Sequence, residues 1–306
     1  MDTRRIGSLE VSVVGLGCNN FGRRLDEART REVVHAALDA GITFFDTADT
    51  YGETWSEVFL GRVLKDVRTQ VVVATKFGWE IDDARRGAHP DYVRRAVEDS
   101  LRRLGTDHID LYQLHKPDPS VPIGETLDVL DELVRAGKVR EIGCSNFSAA
   151  QLRVAAETAG GRARFVSVQN EYSLLHREPE PEVLPECRRL GLAFVPFFPL
   201  ASGLLTGKYR RGRPAPAGTR LSTERFAGRL TDDKLAVVES LLELAERHGH
   251  SLLELAFGWL LARPMVASVI AGATSAAQVR ANVGAVGVDL TDADLEEVDR
   301  IAPVSR

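Results

Sequence analysis

The sequence predicts an α/β fold: a (β/α)8 TIM barrel built as a single domain over residues 1–306, with a long loop after the seventh strand. Three observations predict it. Short apolar runs rich in Val, Ile and Phe alternate with longer amphipathic segments along the whole chain. The runs are apolar throughout, as in parallel strands buried on both faces. There are eight of them, and eight units favour closure into a barrel over an open doubly wound sheet.

The elements follow in order. VSVVGLG (11–17) precedes the amphipathic EARTREVVHAALDAG (27–41). ITFFD (42–46) leads into SEVFLGRVLK, VVVATK (71–76) into PDYVRRAVEDSLRRLG, and IDLYQLH (109–115) into GETLDVLDELVRAG. REIGCSN (140–146) is followed by AAQLRVAAETAG, and FVSVQNEY (165–172) by PEVLPECRRLG. The seventh run, LAFVPFFP (192–199), opens the long irregular stretch 201–230, which is followed by DDKLAVVESLLELAERHG and SLLELAFGWLLARP. The eighth, ASVIAGA (267–273), leads into AAQVRANVGA. Each helical segment has apolar residues at three-four spacing, and several stop at a glycine suited to a left-handed cap. DLTDADLEEVDRIAPVSR ends the sequence as a short capped helix with little tail, which suggests an open pocket.

The chain is 44% hydrophobic, and its 39 basic and 44 acidic residues give a net charge of −5. The two signs are mixed throughout, so no polybasic stripe favours nucleic acid or an anionic membrane. The first apolar run is too short and interrupted for a secretory signal. The most apolar later stretch carries Glu254, Arg263 and Pro264, and reads as helix, turn and strand instead of a membrane span. Cys18, Cys144 and Cys187 are too few and too far apart for a disulfide framework or a zinc site. They fit a reducing cytoplasm. His248 and His250 bracket a helix end without a third ligand nearby, so no metal is expected.

The strand ends carry the chemistry. In a parallel barrel, reactive side chains come from the C-terminal ends of several strands, which converge on one rim. Here the second run ends in Asp46, the third in Lys76 and the fourth in His115, with Tyr51 just past the first of them. Singly, a strand-end Asp is more often a turn residue, a Lys a solvated one and a His a structural one; the set is harder to explain that way. A free tyrosine has a pKa near ~10 and donates protons poorly at neutral pH. An ammonium about 4 Å away favours the phenolate by up to roughly 4 kcal/mol at an effective dielectric near 20, a ceiling of about three pKa units. Lys76 is expected to lower Tyr51 in this way, Asp46 to keep Lys76 charged, and His115 to hold an oxygen beside the phenol. An acid aimed at one oxygen suits a carbonyl. The set has no activated nucleophile for acyl transfer, so the missing partner is a hydride donor.

With GITFFDTADTYG, VVVATKFG, DLYQLH, IGCSNF, VSVQNEYSLL and FFPLASGLLTGKY in this order, the chain resembles the aldo-keto reductase family over nearly its whole length. The resemblance implies an NAD(P)H-dependent oxidoreductase that reduces aldehydes or ketones, or oxidises the matching alcohols or sugars. It implies Tyr51 as the proton donor, with Asp46, Lys76 and His115 completing the catalytic set. It implies that Ser145, Asn146 and Gln169 hold the nicotinamide amide, and that Phe197 stacks on the ring where relatives commonly have Tyr. Leu200, Ser202, Leu204 and Lys208 then line the pyrophosphate, and Gly272, Thr274, Gln278 and Asn282 lie at the adenosine end. Relatives often hold a 2′-phosphate with basic residues there; Gly272 and Gln278 stand at two such places, so NADP(H) is favoured over NAD(H) without an arginine clamp. Some relatives are cofactor-sensing subunits, so the alternative is a regulatory subunit on the same barrel with little turnover.

Other motifs carry less. GLGCNNFG (15–22) has Asn20 where a dinucleotide fingerprint needs its third glycine, and GLLTGKY (203–209) is too short between glycines for a P-loop. YQLHK (112–116) matches a Y-x-x-x-K pair, but on a strand its ends are about 13 Å apart, so Lys116 does not tune Tyr112. Trp55 and Trp79, just past the second and third strands, and Asn20, past the first, are expected to shape the substrate pocket together with the 116–122 loop.

Overall fold

The apolar run at residues 11–17 divides in two. Its first part completes a hairpin, Thr3–Ile6 (β1) and Leu9–Ser12 (β2), and its second part, Val14–Gly17 (β3), is the first barrel strand. The structure, a computed structural model, describes residues 1–304; Ser305 and Arg306, the end of the expected closing segment, lie outside the described residues. The hairpin turns at Gly7-Ser8, with Ile6 paired to Leu9 and Gly7 at φ 58°, a conformation open to glycine without steric cost. Ser12 then redirects the chain: its Oγ donates to the Val14 carbonyl at 2.7 Å and its N–H to Thr43 Oγ1 at 3.0 Å.

The remaining barrel strands are Phe44–Asp46 (β4), Val72–Phe77 (β5), Ile109–Leu114 (β6), Val139–Ser145 (β7), Ser167–Glu171 (β8), Ala193–Phe197 (β9) and Val269–Gly272 (β10). They pair in parallel in the order β10-β3-β4-β5-β6-β7-β8-β9. Phe194 N–H donates to the Met265 carbonyl at 2.7 Å, and Ala267 N–H to the Phe194 carbonyl at 3.0 Å. These bonds bring β9 to the entry of β10, and the barrel is nearly closed.

Helices Glu27–Asp39 (α1), Trp55–Leu64 (α2), Pro90–Leu104 (α3), Ile123–Arg135 (α4), Ala149–Ala159 (α5) and Val183–Leu190 (α6) connect the strands from β3 to β9. Their ends follow ordinary capping chemistry. Ser148 and Gln151 form a capping box at α5, Pro90 opens α3, and Gly105 closes it in the left-handed region. The stretch 201–230, expected to be irregular, holds short turns at Ala201–Thr206 and Arg220–Ser222 and the one-turn helix Glu224–Ala227 (α7). After it come Asp232–Arg247 (α8) and Leu252–Leu261 (α9), then Ala276–Gly284 (α10) and Asp292–Ile301 (α11) beyond β10. Among the described residues, no helix is long and apolar enough to cross a membrane.

The two ends of the barrel are unlike. Inside, Phe44, Ala74, Leu111, Val195 and Ile270 pack against Ile6, Leu9 and Val11 of the hairpin. Each of these hairpin side chains contributes roughly 2 kcal/mol by leaving water, and together they plug the N-terminal end. Ser8 N–H donates to Glu141 Oε1 at 2.7 Å, and Arg4 donates to the carbonyls of Leu261, Arg263 and Val266. Strand side chains alternate between faces, so the inward positions one step beyond Phe44, Ala74 and Leu111 are Asp46, Lys76 and Gln113. Polar chemistry therefore begins where the plug ends.

Candidate active site

Lys76 is fully buried, and its ammonium donates to Asp46 Oδ1 at 2.6 Å and to the Thr47 carbonyl at 2.9 Å. The other carboxylate oxygen of Asp46 accepts from Gln169 Nε2 at 2.8 Å and from Gln113 Nε2 at 3.2 Å. Every strand from β4 to β8 except β7 thus sends one side chain to this knot. Lys76 Nζ also lies 5.2 Å from the centre of the Tyr51 ring. Burial works against the Lys76 charge, but Asp46 and then Tyr51 outweigh it and hold the ammonium above its ordinary pKa.

Tyr51 departs from expectation. Burial pushes its phenol above the ordinary value; Lys76 pulls it down by charge and hydrogen bonding, yet does not win. Burial is the largest effect, and the charge of Asp46, which also keeps Lys76 protonated, adds to it by disfavouring the phenolate. The predicted lowering therefore does not hold for the protein alone, and Tyr51 is a firmly protonated phenol at neutral pH.

His115 stands edge-on to Tyr51, with ring centres 5.9 Å apart, and Trp79 lies against its other side at 5.1 Å. Burial, then the charges of Lys76 and Lys116, keep His115 well below the usual histidine range, so the ring is neutral. Its Nδ1 is buried and, among the described residues, has no hydrogen-bond partner. Trp79 and Trp55 are 44% and 48% exposed, open enough to receive a ligand. Asn20 is different. It is buried, with Nδ2 donating to the Ala273 carbonyl at 3.2 Å and Oδ1 accepting from Arg220 at 3.1 Å. These two bonds tie the loop after β3 to the end of β10 and to Arg220.

A second buried layer backs the first. Asp49, in the loop that carries Tyr51, donates its N–H to the Lys76 carbonyl at 3.1 Å, and Tyr92 donates to its Oδ2 at 3.4 Å. Glu57 accepts from Thr75 Oγ1 at 2.6 Å and pairs with Arg103 at 2.5 Å. Burial, followed by the Glu57 charge, pushes the Asp49 carboxyl up to about 8.

Farther round the rim, Ser145, Asn146 and Gln169 come together. Ser145 Oγ donates to the Gln169 carbonyl at 2.7 Å, and Asn146 Nδ2 donates to the His115 carbonyl at 2.9 Å and Ser145 Oγ at 3.0 Å. Phe197 ends β9 on the inner face. Beyond it the backbone enters the left-handed region at Phe198, Ala201, Ser202 and Gly203, curling the segment that was assigned to phosphate. Leu204 is buried in the core, so only its backbone is free to serve there, and Lys208 is exposed. Thr274 donates to Gln278 Oε1 from N–H and Oγ1, Gly272 is exposed at the end of β10, and Asn282 is buried.

The sequence model of the "Aldo/keto reductase family" matches residues 13–303. The chain belongs to the aldo/keto reductase family. It is 35% identical over 303 residues to "Probable aldo-keto reductase 1" of Glycine max, covering 96% of this chain and 86% of that protein. It is 37% identical over 303 residues to aldo-keto reductase YhdN of Bacillus subtilis (strain 168), covering 96% and 90%. The fold superposes on the holo form of aldo-keto reductase AKR11C1 from Bacillus halodurans with a TM-score of 0.85 at 35% identity, over 100% of this chain and 97% of that one. Membership makes it an oxidoreductase of carbonyl compounds, in a family that uses NAD(P)H.

The aldo/keto reductase rim fits such a dinucleotide. The curled backbone at 198–203 lies beside an excess of positive charge. Burial, and then repulsion from Arg24, Arg23 and Arg229, lower Arg220; burial, and then Arg24 and Arg220, lower Lys208. Among the described residues none of Arg24, Lys208 and Arg220 pairs with a carboxylate, although Arg229 lies 3.2 Å from Glu171. Arg220 is braced by Asn19 and Asn20 and lies over Phe198 and Phe226, at 5.7 and 5.6 Å from the ring centres. Sequence reasoning missed Arg220, because nothing local singles it out from neighbouring arginines. It also missed Gln113, for which a signal exists: a polar residue two positions before His115, on the same inward face of an apolar strand.

Proposed function

We propose that this protein is a nicotinamide-dependent oxidoreductase that reduces aldehyde and ketone carbonyls with NAD(P)H, or oxidises the matching alcohols or sugars by hydride transfer to NAD(P)+, with Tyr51 as general acid in the reductive direction. The observation that carries the reading is the buried Asp46–Lys76 pair beside the Tyr51 ring. A charge pair is costly to bury and adds little stability over an apolar alternative, so its place next to a phenol on the reactive rim calls for a chemical reason.

The cofactor, when bound, supplies the hydride. The chain supplies the rest. Tyr51 keeps its proton at neutral pH and can hand it to a carbonyl oxygen. Lys76 stabilises the phenolate that remains, and Asp46, fixed by Gln113 and Gln169, keeps Lys76 charged and in place. Neutral His115 bonds to the same oxygen without adding a competing charge. Ser145, Asn146, Gln169 and Phe197 are read as the nicotinamide seat. Leu200, Ser202, Leu204 and Lys208 are read as the pyrophosphate seat, and Gly272, Thr274, Gln278 and Asn282 as the adenosine end. Gln169 serves Asp46 at the same time, which links cofactor seat and acid site through one amide. The cations around Arg220 support NADP(H) over NAD(H). Trp55 and Trp79 are read as pocket walls for a small substrate. The free, buried cysteines Cys18, Cys144 and Cys187 suit the cytoplasm.

Tyr51→Phe removes the acid and little else. Turnover of an aldehyde panel, followed by NADPH absorbance, is expected to fall by about 10²- to 10⁴-fold, while NADPH binding followed by fluorescence persists. A fully active variant overturns the assignment. Tight cofactor binding with negligible consumption by the unaltered protein favours the regulatory alternative.

A further inference from the structure

The line of side chains across the mouth ends in a charge that the proposed reaction does not use. Lys76, Tyr51, His115, Trp79 and Lys116 follow one another, with Lys116 Nζ 5.1 Å from the Trp79 ring and Trp79 5.1 Å from His115. The two ends of this line differ. Lys76 is buried and answered by Asp46 at 2.6 Å. Lys116 is only half-buried and, among the described residues, has no carboxylate ion-pair partner. The acid that feels its charge, Asp118, spends its oxygens on Ser120 N–H and Oγ and on Ala88 N–H. Trp79 holds the ammonium over its face by cation–π attraction, which keeps the charge at the rim instead of loose in solvent.

We infer that Lys116 receives a carboxylate of the substrate, so that the favoured carbonyl compounds are aldehyde or keto acids with a flat or short spacer between the two groups. This inference rests on the carbonyl-reductase reading of the site. The spacing sets the spacer. A carbonyl at Tyr51 and His115 is separated from Lys116 by the width of the Trp79 indole, which is 44% exposed and free to stack on that spacer. A half-buried lysine that, among the described residues, makes no ion pair with a carboxylate gains from a ligand that brings its own anion. The Lys116 that sequence reasoning detached from Tyr112 thus has a partner outside the chain: Tyr112 is buried and stacks on Phe77 at 4.7 Å, away from the mouth.

The test compares kcat/KM for 4-carboxybenzaldehyde and for its methyl ester, in the unaltered protein, Lys116→Met and Lys116→Arg. The acid-over-ester preference is expected to fall about tenfold or more in Lys116→Met, the loss of one charged hydrogen bond, and to survive in Lys116→Arg. A preference equal in all three proteins overturns the inference. If the unaltered protein reduces neither aldehyde, a binding measurement decides for Lys116 independently of the catalytic reading. Trp79 emission, assigned with Trp79→Phe, is titrated with benzoate without cofactor. Saturable quenching that Lys116→Met abolishes supports the carboxylate seat; superimposable titrations sink it.

Discussion

Removing the Lys76 side chain would leave Asp46 buried, charged and short of its ammonium, at a cost of about 3–5 kcal/mol. Lys76 variants therefore confound stability with chemistry, and Tyr51→Phe is the cleaner probe. Asp49 offers a separate titration at this scale. Its carboxyl sits at about 8 in the folded protein, against about 4 in an unfolded chain. Between those values the folded protein holds a proton that the unfolded chain has released. The stabilisation is complete below about pH 4 and disappears as pH climbs to about 8. Asp49→Asn mimics the neutral form and removes this dependence. Denaturant midpoints of the variant should exceed those of the parent by a margin that widens from pH 5 to 8, reaching a few kcal/mol. A margin independent of pH would contradict the assigned shift. The raised Tyr51 phenol belongs here too: no reading of neighbours in sequence weighs burial against a nearby ammonium, so the direction of that shift was not legible in advance.

Among the elements, the strands of the barrel were legible because each is an unbroken apolar run, and their ends because a titratable residue interrupts the pattern. The hairpin was not, although Ile6-Gly7-Ser8-Leu9 carries the two-residue turn signal. The apolar spacing of Val11, Val13 and Val14 ran across its boundary and hid the break at Ser12. The bonding of Asn20 was not legible for a related reason: position past a strand end does not say which partners a side chain finds, and Arg220 is distant in sequence. The loop bearing Tyr51 is fixed by a close approach that only glycine allows. Gly52 has φ 57°, and a Cβ there would stand 2.2 Å from the Phe21 carbonyl oxygen. Gly52→Ala must move either the 18–26 loop or the Tyr51 loop. Thermal unfolding should register a loss of about 2 kcal/mol or more, with kcat reduced by displacement of Tyr51. An unchanged melting temperature would mean that the two loops are free to separate.

Across the whole molecule, a net charge of −5 coexists with a cationic arc of Arg23, Arg24, Lys208 and Arg220 on one side of the mouth. Such a field draws anions to one face of an otherwise acidic protein. Arg220→Gln should weaken NADPH binding by about ten- to a hundredfold, weaken NADH binding less, and flatten the dependence of NADPH affinity on salt. Fluorescence titrations with both cofactors at low and high ionic strength measure this; equal losses for the two would remove Arg220 from recognition of the extra phosphate. At the opposite pole, the plug commits the start of the chain to the closed end, where Met1 is exposed beside Gly41. A tag or tether joined to Met1 would anchor the molecule to a solid support mouth upward, so the immobilised catalyst would keep its entrance toward the flowing solution.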